Sequence, residues 1–194
     1  MSASPSAVQF IVEGGRPLAG TIRPSGNKNA ALPIVAAALL TEHPVTLHNV
    51  PRIRDIETLV ELIQSLGVSA RWTERNRLDI HAKSVVPAEL DRALSKKIRG
   101  SILLAGPVLG RAGRITLPPP GGDVIGRRRL DTHFLALEQL GARYELTDVI
   151  EMQAGALRGA DVFLDEPSVT GTENALMAAV LASGTTVLRN AASE

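Results

Sequence analysis

Apolar positions along this chain follow two rhythms. Ile53, Ile56, Leu59, Val60, Ile63 and Leu66 recur at spacings of three and four, one face of an amphipathic helix that Gly67 ends. Residues 131–140 repeat the pattern through Phe134, Leu137 and Leu140, with Gly141 as the stop. Three other stretches, residues 28–40, 101–109 and 173–181, are rich in Ala and Leu and apolar nearly all round, as helices buried on every side are. Between them, residues 45–50, 68–72, 78–81, 115–117, 143–146, 162–164 and 185–188 read as strands. Residues 10–12 and 18–22 read as two more short strands around a Glu-Gly-Gly-Arg-Pro turn.

Laid under one another, these pieces repeat. Residues 29–49 carry helix, loop and Val-Thr-Leu-His-Asn; residues 170–190 carry helix, Ser-Gly loop and Thr-Val-Leu-Arg-Asn, at an offset of 141. Residues 99–117 fit between them at an offset of 70, and Leu66-Gly67-Val68 matches Leu140-Gly141-Ala142. A period near 70 with helices and strands in each unit predicts a pseudo-symmetric α/β (α+β) domain built from three copies. The third copy has its first helix and strand only, so the chain reads as part of something longer, truncated in its third repeat.

Composition narrows the function classes. With 194 residues, 44% of them apolar, the chain is long enough to bury one good-sized core or two small ones. Lys plus Arg (21) nearly balance Asp plus Glu (20), so no whole-chain field favours nucleic acid or an anionic membrane, and any anion site is local. Aromatics at 3% argue against base-stacking platforms. The absence of cysteine removes disulfides, thiolate metal sites and thiol nucleophiles together. The N-terminus lacks a basic n-region and apolar h-region, and the longest apolar run, residues 30–40, is too short to span a bilayer, so the expected location is cytoplasmic. The histidines lack metal-ligand spacing and Gly26-Asn27-Lys28 lacks the Walker A pattern, so no metal site and no nucleotide hydrolysis are predicted.

Candidate chemistry concentrates in residues 117–133, where three prolines, Gly121-Gly122, the isolated carboxylate of Asp123 and the triplet Arg127, Arg128 and Arg129 sit between two helices. Asp123 reads either as a turn-forming residue or as a general acid whose pKa desolvation raises. The arginines read as a solvated run or as a clamp for phosphate or carboxylate. Lys28 and Asn29, following Ser25-Gly26-Asn27, form either a plain helix cap or an anion nest. Arg99 holds the equivalent place in the second copy. It therefore forms a structural ion pair or joins Lys28 on one cleft.

With these residues in place, the chain resembles the enolpyruvyl transferase family, through residues 26–34, 49–58, 117–131, Leu137-Glu-Gln-Leu-Gly-Ala142 and Gly171-Thr-Glu-Asn174 to Asn190-Ala-Ala192. The similarity is closer to the branch acting on UDP-N-acetylglucosamine than to the branch acting on shikimate 3-phosphate. It implies an inside-out α/β barrel of two similar domains, each of three repeats, with the active site between them. Residues 1–22 would pack on the second domain and residues 23–194 would form the first, incomplete at its C-terminal end.

The implied reaction, the first committed step of peptidoglycan synthesis, moves the enolpyruvyl group of phosphoenolpyruvate to the 3'-hydroxyl of UDP-N-acetylglucosamine. It releases phosphate and uses no metal or cofactor. The resemblance assigns Lys28 and Asn29 to phosphoenolpyruvate, and Arg99 and Arg128 to anionic groups. It assigns Arg128, Arg129, Leu130, Asp131, Thr132 and His133, with Ser168 and Val169, to the UDP-sugar. Asp123 would be the proton donor at a position where cysteine, the target of fosfomycin, is commonest. An aspartate there implies resistance to that drug. The sequence also departs from its relatives in the arginine triplet, in Glu166 and in the run Pro118-Pro119-Pro120. An enolpyruvyl transferase with another acceptor, or a non-catalytic UDP-sugar-binding or regulatory remnant, fits the same residues.

Overall fold

A computed structural model describes residues 10–122 and 129–193. Helix α1 (Lys28–Ala37) begins where Asn27, in extended backbone, accepts hydrogen bonds from the N–H groups of Asn29 and Ala30 at 2.7 and 3.2 Å. It tightens into a 3-10 turn, Ala38–Leu40, before strand β1 (Val45–Leu47). Helix α2 (Arg54–Ser65) follows, then the hairpin of β2 (Ser69–Glu74) and β3 (Arg77–His81). The predicted stripe of α2 is its buried face: Ile56, Leu59, Val60 and Ile63 are all shut from solvent, each adding roughly 1.5–3 kcal/mol of hydrophobic stabilisation.

The second repeat copies the first. A short helix α3 (Arg92–Ser95) leads into a 3-10 run, Arg99–Leu104, continued by α4 (Ala105–Ala112), then β4 (Arg114–Leu117), α5 (Asp131–Gln139), β5 (Arg143–Leu146) and β6 (Ile150–Gln153). Both sheets put their last strand in the middle, in the orders β1-β3-β2 and β4-β6-β5, with antiparallel pairing throughout. Register agrees as well: Leu47 faces Leu78 and Val45 faces Ile80, while Leu117 faces Ile150 and Ile115 faces Met152. Each of these pairs places at least one fully buried side chain against the helices.

The third repeat supplies β7 (Asp161–Phe163), α6 (Val169–Val180) and β8 (Val187–Arg189), with β7 and β8 parallel. Asn49 and Asn190, 141 positions apart, share a left-handed backbone at φ of 57° and 56°. Aspartate and asparagine tolerate that region best among residues with a Cβ. Side chains of the two copies are also cross-tied, for Arg111 of α4 donates to the carbonyls of Leu39 and Ala82 in the first repeat.

Helices α1, α4 with its 3-10 lead, and α6 form the centre; α2 packs on α1 and the 3-10 run, and α5 packs on α6. The sheets lie outside the helices, the inside-out order that the resemblance implies. No helix among the described residues is long and apolar enough to cross a membrane.

Four expectations need correction. Residues 10–12 and 18–22 are not strands: they pair with nothing among the described residues, and Phe10 and Leu18 are 89% and 98% exposed. A strand needs a ladder partner, and this segment has none here. Strand β6 is absent from the strands expected above, because Ile-Glu-Met-Gln is short and half polar and carries no strand signal, yet it is the middle strand of its sheet. The helix expected over residues 101–109 is 3-10 up to Leu104, for a reason given below. Helix α6 starts at Val169, four residues before the expected start, because Ser168 caps it through Gly171 N–H at 3.2 Å. A broad-specificity protease is expected to remove residues 10–22 first and leave a resistant core starting near Gly26, read by intact mass; early cuts inside the α1–α2 region would contradict the packing described.

Candidate functional site

Asn27 and Ser168 are 141 positions apart and both cap inner helices, so α1 and α6 begin side by side. The 3-10 run starts at the same level with Arg99. These three helix starts surround a cavity of about 280 Å³ lined by Lys28, Asn29, Arg99, Gly100, Val169 and Thr170, among others. N-terminal N–H groups and the partial positive charge of helix starts favour an anion there. Lys28, Lys97 and Arg99 add three cations to the lining, against the carboxylates of Asp55 and Glu173.

Lys28 is held rather than free: its Nζ lies 2.8 Å from Asp55 Oδ2 at the start of α2. Arg99 donates from its guanidinium to the backbone carbonyl of Arg129 at 3.2 Å. Gly121, the residue that opens the proline-glycine loop, is pinned at the cavity rim. Its N–H donates to Ser95 O at 3.0 Å, and a Cβ on it would fall 1.8 Å from the carbonyl oxygen of Lys96, so only glycine fits. Gly122, next along, donates to Lys96 O at 3.3 Å and lines the cavity itself. Asp123 and Arg128 lie outside the described residues.

Of the remaining candidates, Arg129 pairs with Asp131, and this carboxylate, with Asp165 and Glu166 further off, holds the guanidinium pKa above its ordinary value. The charge of Arg129 is thus already answered within the protein. Leu130 packs on the core where α5 begins. Ser168 is spent on its cap. Thr132 and His133 are each 2% exposed and lie one layer beneath the cavity; Thr132 donates to Asp165 Oδ1 at 2.6 Å. Burial, and then the charge of Arg99, push the pKa of His133 from 6.5 down to about 4. Its ring is therefore neutral at physiological pH.

Sequence reasoning overlooked Asp55, Lys97, Thr170 and Glu173. The offset of 141 places Thr170 opposite Asn29, so the repeat itself carried a signal for it. Asp55 had no such signal, because its contact with Lys28 spans 27 residues. Another, larger concavity of about 560 Å³ lies on the β4-β6-β5 sheet, lined by Arg114, Arg143, Glu145 and Glu151 with apolar neighbours. It has no helix start at its floor. No cluster of three or more potential metal ligands occurs among the described residues.

The family model for EPSP synthase (3-phosphoshikimate 1-carboxyvinyltransferase) matches residues 12–194. The chain belongs to the EPSP synthase family. Among relatives of this family, a UDP-N-acetylglucosamine 1-carboxyvinyltransferase of Bradyrhizobium diazoefficiens is 72% identical over 96% of this chain and 43% of its own length. One of Treponema denticola is 53% identical over 96% of this chain and 44% of its own. Among solved structures, the enolpyruvyl transferase NikO from Streptomyces tendae superposes with a TM-score of 0.74 at 26% identity, over 90% of this chain and 41% of that one. An EPSP synthase from Acinetobacter baumannii shares the fold, with a TM-score of 0.71 at 17% identity over 90% of this chain and 41% of its own. The chain thus spans less than half the length of the relatives it matches, and it covers the N-terminal part of the enolpyruvyl transferase fold.

Proposed function

We propose that this chain is the N-terminal portion of a UDP-N-acetylglucosamine 1-carboxyvinyltransferase. The observation that carries the reading is the cavity at the joined starts of the inner helices, with Lys28, Asn29 and Arg99 on its wall, in a chain 72% identical to a protein of that name. Lys28 and Asn29 hold phosphoenolpyruvate, and Arg99 with Arg128 bind anionic groups of the two substrates. Residues 128–133, Ser168 and Val169 form the wall toward the UDP-sugar, with Thr132 and His133 shaping it from beneath.

In the reaction the 3'-hydroxyl of UDP-N-acetylglucosamine gives its proton to a base on the other wall of the cleft as its oxygen bonds to C2 of phosphoenolpyruvate, and Asp123 gives a proton to the methylene carbon, which becomes a methyl group. The resulting tetrahedral adduct then passes one proton of that methyl group to the protein as the C2–O bond to phosphate breaks, leaving the enol ether and free phosphate. Cations on the cavity stabilise the phosphate as its bond breaks, an interaction stronger in the transition state than in the ground state. The reading places this work in the cytoplasm.

Residues 23–194 belong to the first domain, and a second domain in the rest of the protein supplies the other wall. Residues 1–22 pack on that domain, and the exposed Phe10, Ile11, Val12, Leu18 and Ile22 offer apolar side chains to lay against it. Phosphate release from phosphoenolpyruvate, with and without UDP-N-acetylglucosamine, tests the reading, beside an Asp123→Ala control. Release that needs the sugar nucleotide and falls at least about 100-fold in the control is expected from the protein with both domains. Fosfomycin is expected to leave that activity intact, since no thiolate stands at position 123; rapid stoichiometric inactivation by the drug, or release indifferent to Asp123, would count against the assignment.

A further inference from the structure

The site carries a hydroxyl whose direction the fold fixes through four linked hydrogen bonds. Asn174 is fully buried in α6 and its side chain enters the helical run of the second repeat: Oδ1 accepts Gly106 N–H at 2.9 Å, and Nδ2 donates to Ile102 O at 2.7 Å. A backbone N–H only donates and a carbonyl only accepts, so these two contacts leave the amide no alternative orientation. The remaining Nδ2 proton points at His133 Nδ1, 2.9 Å away, which must therefore accept and carry no hydrogen. A neutral ring then bears its proton on Nε2, which lies 3.2 Å from Thr170 Oγ1. With its oxygen accepting from the imidazole, the Thr170 hydroxyl turns its own hydrogen elsewhere, and Thr170 lines the cavity beside Asn29 and Arg99.

We propose that Thr170 is a substrate-binding hydroxyl donor in the cavity, directed at a phosphate or carboxylate oxygen, and that His133 is the positioning residue that orients it. This rests on the anionic-substrate reading above and adds to it Thr170, which the comparison of motifs does not supply, and a positioning role for His133, which the motifs assign only to the UDP-sugar site. It also explains why a neutral histidine lies beneath a cationic pocket. An imidazolium would still donate from Nε2, but it would put a second proton on Nδ1 against the Asn174 amide.

Two replacements separate the halves of the relay. The terminal amide of Gln stands near the place of Nε2 and donates to Thr170; the shorter Asn places its oxygen near Nδ1 and answers only Asn174. Imidazole nitrogen NMR of the 194-residue chain at pH 7 is expected to show His133 as the Nε2–H tautomer, and an Nδ1–H tautomer would overturn the orientation. Titration of the protein with both domains with phosphoenolpyruvate and, separately, UDP-N-acetylglucosamine is expected to show about a tenfold loss of affinity for at least one of them in Thr170→Val and His133→Asn. Thr170→Ser and His133→Gln should stay within about threefold of the parent. A parent chain that binds the probes while Thr170→Val binds them equally well overturns this proposal alone. A parent protein with both domains that binds neither overturns the anionic-substrate reading, and the proposed ligand with it.

Discussion

Replacing Asn174 by alanine is expected to lower the stability of the chain by roughly 3–5 kcal/mol, among the largest effects of any single side chain here. The amide occupies the place of the helical bond from Gly106 N–H to Ile102 O, and that insertion is why the run is 3-10 before Ala105 and α-helical after it. Truncation strands one buried N–H, one carbonyl and His133 Nδ1, and opens a void where α6 crosses α4. Pro107, next in the chain, has no N–H with which to rebuild the turn.

Gly106→Ala attacks the same joint from the other side. A Cβ there would lie 2.6 Å from the backbone oxygen of Asn174, and a loss of about 2–3 kcal/mol is expected. Because the two changes share one contact, the double variant should lose less than the sum. Urea unfolding measures all three. A cost below about 1 kcal/mol for Asn174→Ala would show that the helix recovers its own bond and that the amide is not what breaks it.

Acidification from pH 6.5 to 4 is expected to cost about 3 kcal/mol through His133 alone. The folded ring has its pKa depressed to about 4, by burial first and by Arg99 second, whereas the unfolded ring titrates near 6.5. Between those values the unfolded chain takes up a proton that the native chain refuses, so stability falls as pH falls and is fully present above about 6.5. Among the described residues, the groups that face the ring are Thr170, Asn174 and the cation Arg99, and none of these is a carboxylate that would favour the imidazolium. Asp148 beside Arg92 and Asp161 beside Arg189 also have depressed pKa values, but they are exposed and their contributions are lost below the window of the histidine, as pH falls under about 3.8. Unfolding midpoints across this range should therefore slope in the parent and run nearly flat in His133→Gln. Equal slopes in the two would place the acid sensitivity elsewhere.

Local rules specify much of this molecule. The stripe from Ile56 to Leu66 and the stop at Gly67 specify α2, because one apolar face must be buried and the chain must turn after it. The offsets of 70 and 141 match the order of elements in the second and third repeats, and the aligned Asn49 and Asn190 prove to share a left-handed backbone that the repeat alone does not reveal. Where reading failed, short-range pattern was weak: β6 has four residues, two of them polar, and only pairing on both sides makes it the middle of a sheet. Residues 10–22 show the converse, a strand-like pattern with no partner.

The candidate site divides along the same line. Lys28, Asn29 and Arg99 were legible because a polar residue at the start of an apolar helix is a local signal, and the repeat linked them. That they share one cavity was decided by the packing of α1, the 3-10 run and α6. So were the partner of Lys28, the tautomer of His133 and the aim of the Thr170 hydroxyl. Those depend on contacts across 27, 41 and 37 residues, which no periodicity encodes. Sequence by itself determined which segments become helices and strands and that they recur, since propensity, capping and burial of a face act within a few residues. Tertiary structure alone decided which polar groups meet, since a buried hydrogen bond exists only where two distant segments are held at about 3 Å.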